Sequence, residues 1–173
     1  MDLQQQLSAS ITKEQVMAIV NWVGDSRERF DELFRIFTTS PYRIVQRAAW
    51  PMSYCVIRHP SLIAPHYTTL LRLLDDAAQP PAVKRNILRL LDQGAAIPKK
   101  FHGRIMDICF RNLEDPTGAI AAKAFSIGVL SKLSDLYPEI LPELKTTAEL
   151  LLPHASPGVK SRALKVLKKK RGQ

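Results

Sequence analysis

Cys55 and His59 stand four residues apart, a single helical turn, and a thiol beside an imidazole is one arrangement that could make a nucleophile. Both cysteines, Cys55 and Cys109, lie inside apolar stretches. Free cysteine is usually a small core residue, and both are read as core. The four histidines are His59, His66, His102 and His154. None sits in a His-Glu-x-x-His pattern, and no carboxylate adjoins any of them in sequence. Two cysteines separated by 54 positions make no zinc clip, and the seven glycines form no phosphate-cradling loop. No catalytic residue, metal or cofactor is expected. Trp22 and Trp50 offer flat rings for stacking.

Charge is the stronger signal. The formal net charge is +9. Residues 160–173 hold seven Lys or Arg and no acid, while the remaining 159 residues are near neutral, with 18 basic and 16 acidic side chains. The end of the chain therefore reads as a basic tail over 168–173. No window approaches 18 unbroken apolar residues, so no membrane span is expected. The opening Met1–Gln6 carries an acid and lacks a basic-then-apolar order, so it does not read as a secretory signal. Two cysteines are too few for a disulfide framework, and a reduced, cytoplasmic setting is expected.

The elements that must position these side chains come from a repeat. Segments beginning at Val45, Val83, Ile120 and Val159 lie 38, 37 and 39 positions apart. Counting each first residue as offset zero, offsets zero, four, five and seven are apolar in all four, which places an apolar stripe on each helix. Trp50 falls at offset five, level with Leu88, Phe125 and Leu164, and is expected in the core. A partner helix precedes each segment, over 27–38, 61–77, 98–113 and 138–152. Prolines mark most of the boundaries, where a missing N–H is tolerated. Pro51 falls inside a helix and predicts a kink or break. A further helix runs from Thr12 to Val23 with Thr12 as its cap, behind an N-terminal segment 1–11. No stretch alternates with period two, so no sheet is expected.

A turn with proline, then Val, often a basic residue, then Ala and Leu down one face, resembles the HEAT repeat over roughly residues 27–171. Asp115-Pro116 with Ile120, and Ser156-Pro157 with Val159-Lys160, carry the resemblance best; Ala121 departs from it where a basic residue is usual. The chain is similar to short stand-alone bacterial HEAT-like proteins. The resemblance implies an all-α fold: a short right-handed α-α superhelix of about four helical hairpins plus an N-terminal helix, one domain over 1–173. It also implies that the second helix of each pair lines the concave surface. HEAT-like alkylbase glycosylases share this fold and use tryptophans and an aspartate on a basic face. No Asp lies within a helical turn of Trp50, so this enzyme remains the remote alternative.

The second helices, taken as 41–58, 81–91, 117–134 and 157–173, hold fifteen Lys or Arg and no acid; the rest of the chain carries ten basic and sixteen acidic residues. Offsets two, three and six lie opposite the apolar stripe. Among them are Arg47, Arg85, Arg89, Lys123, Arg162 and Lys165, and none of these positions is acidic. Two readings stand. One is a solvated face whose cations only aid solubility; the other is a partner-binding face, since solubility does not demand one sign. On the second reading the chain is a non-catalytic scaffold for an acidic protein segment. Sequence-independent nucleic-acid binding through phosphates is the alternative.

Overall fold

The computed structural model describes residues 1–94 and 96–170. Within them are ten α-helices, one more than the periodicity predicts, and no strand, as expected. Arg171, the last cation of the expected tail, and the two residues after it lie outside the described residues.

The chain divides into two compact units, Met1–Ala95 and Ala96–Gln173. In the first, α1 (Leu3–Ser8) and α2 (Lys13–Val23) precede two helical hairpins, α3 (Arg27–Thr39) with α4 (Tyr42–Arg58) and α5 (Tyr67–Asp75) with α6 (Pro81–Gln93). The second holds α7 (His102–Glu114) with α8 (Ile120–Leu136), and α9 (Leu141–Leu151) with α10 (Pro157–Lys168). The two helices of each hairpin pack together, and the second helices pack on each other within each unit, α4 on α6 and α8 on α10.

Local chemistry sets these boundaries. Thr12 accepts from the Gln15 N–H while the Gln15 side chain accepts from the Thr12 N–H, a reciprocal cap that starts α2 where expected. Ser26 and Ser156 cap α3 and α10 with one bond each, accepting from the Arg29 and Val159 N–H groups. Pro60, Pro81, Pro138 and Pro157 occupy opening turns, where their missing N–H costs nothing. α1 was not anticipated; Asp2 caps it, and Leu3 and Leu7 are its buried anchors. Of the kink or break expected at Pro51, the break does not occur, and α4 runs through it.

The core carries two corrections to the expected stripe. Offsets zero, four and seven are buried in α4, α6 and α10, as Val45, Ala49 and Met52, Val83, Ile87 and Leu90, and Val159, Ala163 and Val166. In α8 the frame is displaced by two residues. Ile120 is 62% exposed and Ala124 is half-buried; the buried residues are Ala122, Ser126, Ile127, Val129, Leu130, Leu133 and Ser134, so only the expected offset seven, Ile127, stays in the core. Asp115 explains the shift. Its carboxylate accepts from the Thr117 N–H and hydroxyl, extending the turn, so that Ile120 opens the helix on its solvent side. Ser126 can occupy a core position because its hydroxyl meets the Asn112 amide at 3.4 Å.

Offset five is the second correction. Leu88 is buried there, but Leu164 is 41% exposed and Trp50 and Phe125 are only half-buried. Trp50 is thus not a core residue.

Candidate functional site

The chemistry weighed for Cys55 and His59 does not assemble. The backbone N–H of His59 donates to the Cys55 carbonyl at 2.8 Å, closing α4. The thiol is fully buried, and burial pushes its pKa up to about 12, the reverse of what a nucleophilic thiolate needs. Cys109 is also fully buried. Neither thiol should react with a disulfide reagent in the native protein, and both should react once the chain is unfolded in guanidinium. Rapid labelling of the native state, followed by absorbance of the released thiolate, would refute that burial. The raised Cys55 pKa also means that its contribution to stability is present below pH about 9 and lost as pH rises toward about 12.

Two histidines find partners that sequence spacing could not reveal. His66 Nε2 lies 2.8 Å from Asp31 Oδ1, and its ring stacks on Phe34 at 4.0 Å between centroids. This pair fastens the turn before α5 to α3. His102 is buried, with Nε2 2.6 Å from the Ile97 carbonyl and Nδ1 2.9 Å from the Tyr137 hydroxyl. A carbonyl only accepts, so Nε2 carries the proton and Nδ1 accepts from Tyr137. Among the described residues no cluster of three His, Cys, Asp or Glu is placed to hold a metal.

The six basic residues singled out by the sequence divide between the two units. Arg47, Arg85 and Arg89 are in the first, on the packed pair α4 and α6. Arg47 Nη1 donates to the carbonyls of Leu7, at 3.1 Å, and Ser8, at 2.6 Å, and so fastens the end of α1. Arg89 Nη1 donates to Asn86 Oδ1 at 2.8 Å, and its guanidinium lies 5.5 Å from the Tyr54 ring centre. Asn86 is fully buried, and its own amide donates to the Ala82 carbonyl. Burial lowers the Arg89 pKa from the ordinary arginine value; Tyr54 opposes this, and Arg85 adds repulsion. Arg85 itself is exposed.

In the second unit, Arg162 lies over the Phe125 ring at 5.5 Å and is half-buried, as is Lys123. Lys165 is exposed. The displaced frame of α8 moves Lys123 from offset three to offset one. Offset three in fact turns inward, where Ala48 and Asn86 are fully buried. The freedom from acids also narrows: α6 and α8 run on to Gln93 and Leu136 and so include Asp92 and Asp135. Nor is the basic end all tail. Lys169 Nζ pairs with Asp135 at 2.8 Å and donates to the Ser131 carbonyl, docking it on α8.

One cleft gathers cations. About 310 Å³ in volume, it lies in the first unit and is lined by Ser10, Ile11, Arg43, Gln46, Arg47, Trp50, Ala82 and Arg85. No Asp or Glu lines it, so the aspartate of a glycosylase-like site is missing from this lining. Sequence reasoning overlooked Arg43, which sits two positions ahead of the repeat and is exposed at the start of α4. Its signal was the spacing of Arg43 and Arg47 at four residues, one helical turn. A second groove of about 420 Å³ lies in the second unit and is more apolar, with Ile120, Leu150, Leu151 and Val159 beside Lys123 and His154.

A family model for the HEAT repeat domain matches residues 3–170. The chain belongs to the HEAT repeat family. HEAT repeats generally serve as protein-interaction scaffolds without catalytic activity of their own. No curated protein and no solved structure matches the chain. The match begins at Leu3, so the HEAT assignment takes in α1 and α2, beyond the segment 27–171 over which the repeat is legible. No helix of this HEAT chain is long and apolar enough to cross a membrane, among the described residues.

Proposed function

We propose that the chain is a non-catalytic, cytoplasmic scaffold that binds an acidic protein segment through the basic faces of its second helices. Arg47, Arg85 and Arg89 act in the first unit, and Lys123, Arg162 and Lys165 in the second. The observation that carries the reading is the cleft between α4 and α6: three guanidiniums line it with no carboxylate among the lining residues. A solvated face that served only solubility would mix its signs. Here like charges stand close, a standing cost that an anionic partner relieves.

The six residues do not contribute alike. Arg47 and Arg89 are held by neighbours within the fold, and Arg162 is laid on an aromatic ring. Arg85 and Lys165 are exposed and are the cleanest probes of binding. With a labelled poly-glutamate peptide, Arg85→Glu combined with Lys165→Glu should weaken binding about tenfold or more at low salt, since like-charge juxtaposition is costly. Removal of residues 170–173 should change affinity by no more than about twofold, because the proposed face does not include them. The opposite ranking would make the folded face irrelevant. Duplex DNA bound more tightly than the peptide, with a steep salt slope abolished by the same charge reversals, would move the chain to the nucleic-acid reading.

A further inference from the structure

We propose that the cleft of the first unit takes one aromatic side chain flanked by carboxylates, so that the acidic segment it binds carries an aromatic residue between acids. This rests on the basic-face reading and sharpens it. Three observations converge on the cleft.

The first is charge without a counter-charge. Arg43 and Arg47 project from α4 and Arg85 from α6, and no described carboxylate lies within ion-pair distance of any of them. Arg47 is nonetheless held in place: its Nη1 bonds to the Leu7 and Ser8 carbonyls, which leaves the other N–H groups of a rigid fork to meet an anion. A guanidinium already fixed in place loses less entropy on binding.

The second is a large ring left uncovered. Trp50 sits at the offset where α6 buries Leu88 completely, yet it remains half-buried and forms one wall of the cleft. Ile11 and Ala82 complete an apolar lining beside it. Ring and guanidinium faces both favour a flat, polarisable guest over an aliphatic one.

The third is size. A volume of about 310 Å³ stands at the bottom of the range for small-molecule sites, which begins near about 300 Å³. It suits one bulky side chain, with flanking carboxylates reaching the arginines at the rim. Anchors of this kind dominate binding energy where an aromatic fills a pocket inside a charged rim.

The test uses three labelled peptides of equal length and fluorescence anisotropy with the full chain. One has phenylalanine between glutamates, one has serine in its place, and one keeps phenylalanine between glutamines. The glutamate–phenylalanine peptide should bind about ten times more tightly than the serine peptide, and the glutamine peptide should bind least. Trp50→Ala should shrink the phenylalanine advantage to about twofold. Ile11→Ser, which removes apolar lining without adding charge, should shrink it as well, from the loop between α1 and α2 and with no helix altered. Equal binding of the phenylalanine and serine peptides, both weakened by Arg85→Glu, would overturn the inference and leave the basic-face reading standing. No binding by either glutamate peptide would overturn both. An oligonucleotide that displaces the peptide and loses its own affinity in Trp50→Ala would also overturn the inference, giving the cleft to a nucleobase.

Discussion

Phe37→Ala should lower the unfolding free energy by ~3–5 kcal/mol, the usual loss when a buried aromatic site is emptied. Phe37 is fully buried. It ends a run of rings along α3, with Phe30 and Phe34 at 6.0 Å between centroids and Phe34 and Phe37 at 5.8 Å. His66 stacks on the same run and is held there by Asp31. A hole at Phe37 thus removes apolar burial and loosens the support for α4, the helix that carries Arg43, Arg47 and Trp50. Arg35→Ala, on the exposed side of α3, is the control and should change stability by no more than ~0.5 kcal/mol. Urea unfolding followed by helical circular dichroism reads both. A Phe37→Ala protein that unfolds with the parent would mean that α3 is not packed on α4 as described.

The helices were legible in the sequence because two independent signals coincide. Prolines and small polar residues punctuate the chain, and apolar residues return at helical spacing between them. The expected ranges for the first helices differ from α3, α5, α7 and α9 chiefly where 3₁₀ turns, such as Pro60–His66, open or close them. What failed was the demand for an apolar residue at every core offset. Ser126 is fully buried and bonded to Asn112, and Ser53 and Asn86 are likewise buried and bonded between α4 and α6. A polar residue with its partner on another helix looks like surface in one dimension. α8 is also apolar around most of its circumference, so its frame is poorly defined by pattern alone.

The site was legible in part. Sequence grouping singled out Arg47 and Arg85 of the candidate cleft but not Arg43, because charge sorted by element survives errors of a residue or two whereas a cation outside the counted offsets does not. Trp50 was misplaced because the frame treats every offset-five residue alike, whereas Leu88 is covered and Trp50 is not. The anchoring of Arg47 on α1 spans 39 to 40 residues, and no local pattern reports such a contact. The pairing of Asp31 with His66 spans 35 residues and was invisible for the same reason.

The frame of α8 gives the sharpest separation between sequence and structure. Ala122 is 3% exposed and Ile120 is 62% exposed, whereas the repeat spacing assigns Ile120 to the core. Ala122→Asp would place a carboxylate at a buried position of the core. A buried, unpaired charge of this kind should cost about 3 kcal/mol or more, enough to leave the second unit largely unfolded. Ile120→Asp should cost no more than about 0.5 kcal/mol, because the position is exposed and an acid in a first helical turn complements the helix dipole. The buried carboxyl of Ala122→Asp also favours its protonated form, so part of the loss should return as pH falls toward about 4, while Ile120→Asp should show no such recovery. Urea midpoints at neutral and acidic pH measure all of this. Should Ile120→Asp prove the damaging change and Ala122→Asp the silent one, the frame inferred from spacing would be correct, and Ile120 rather than Ala122 would open the buried face of α8.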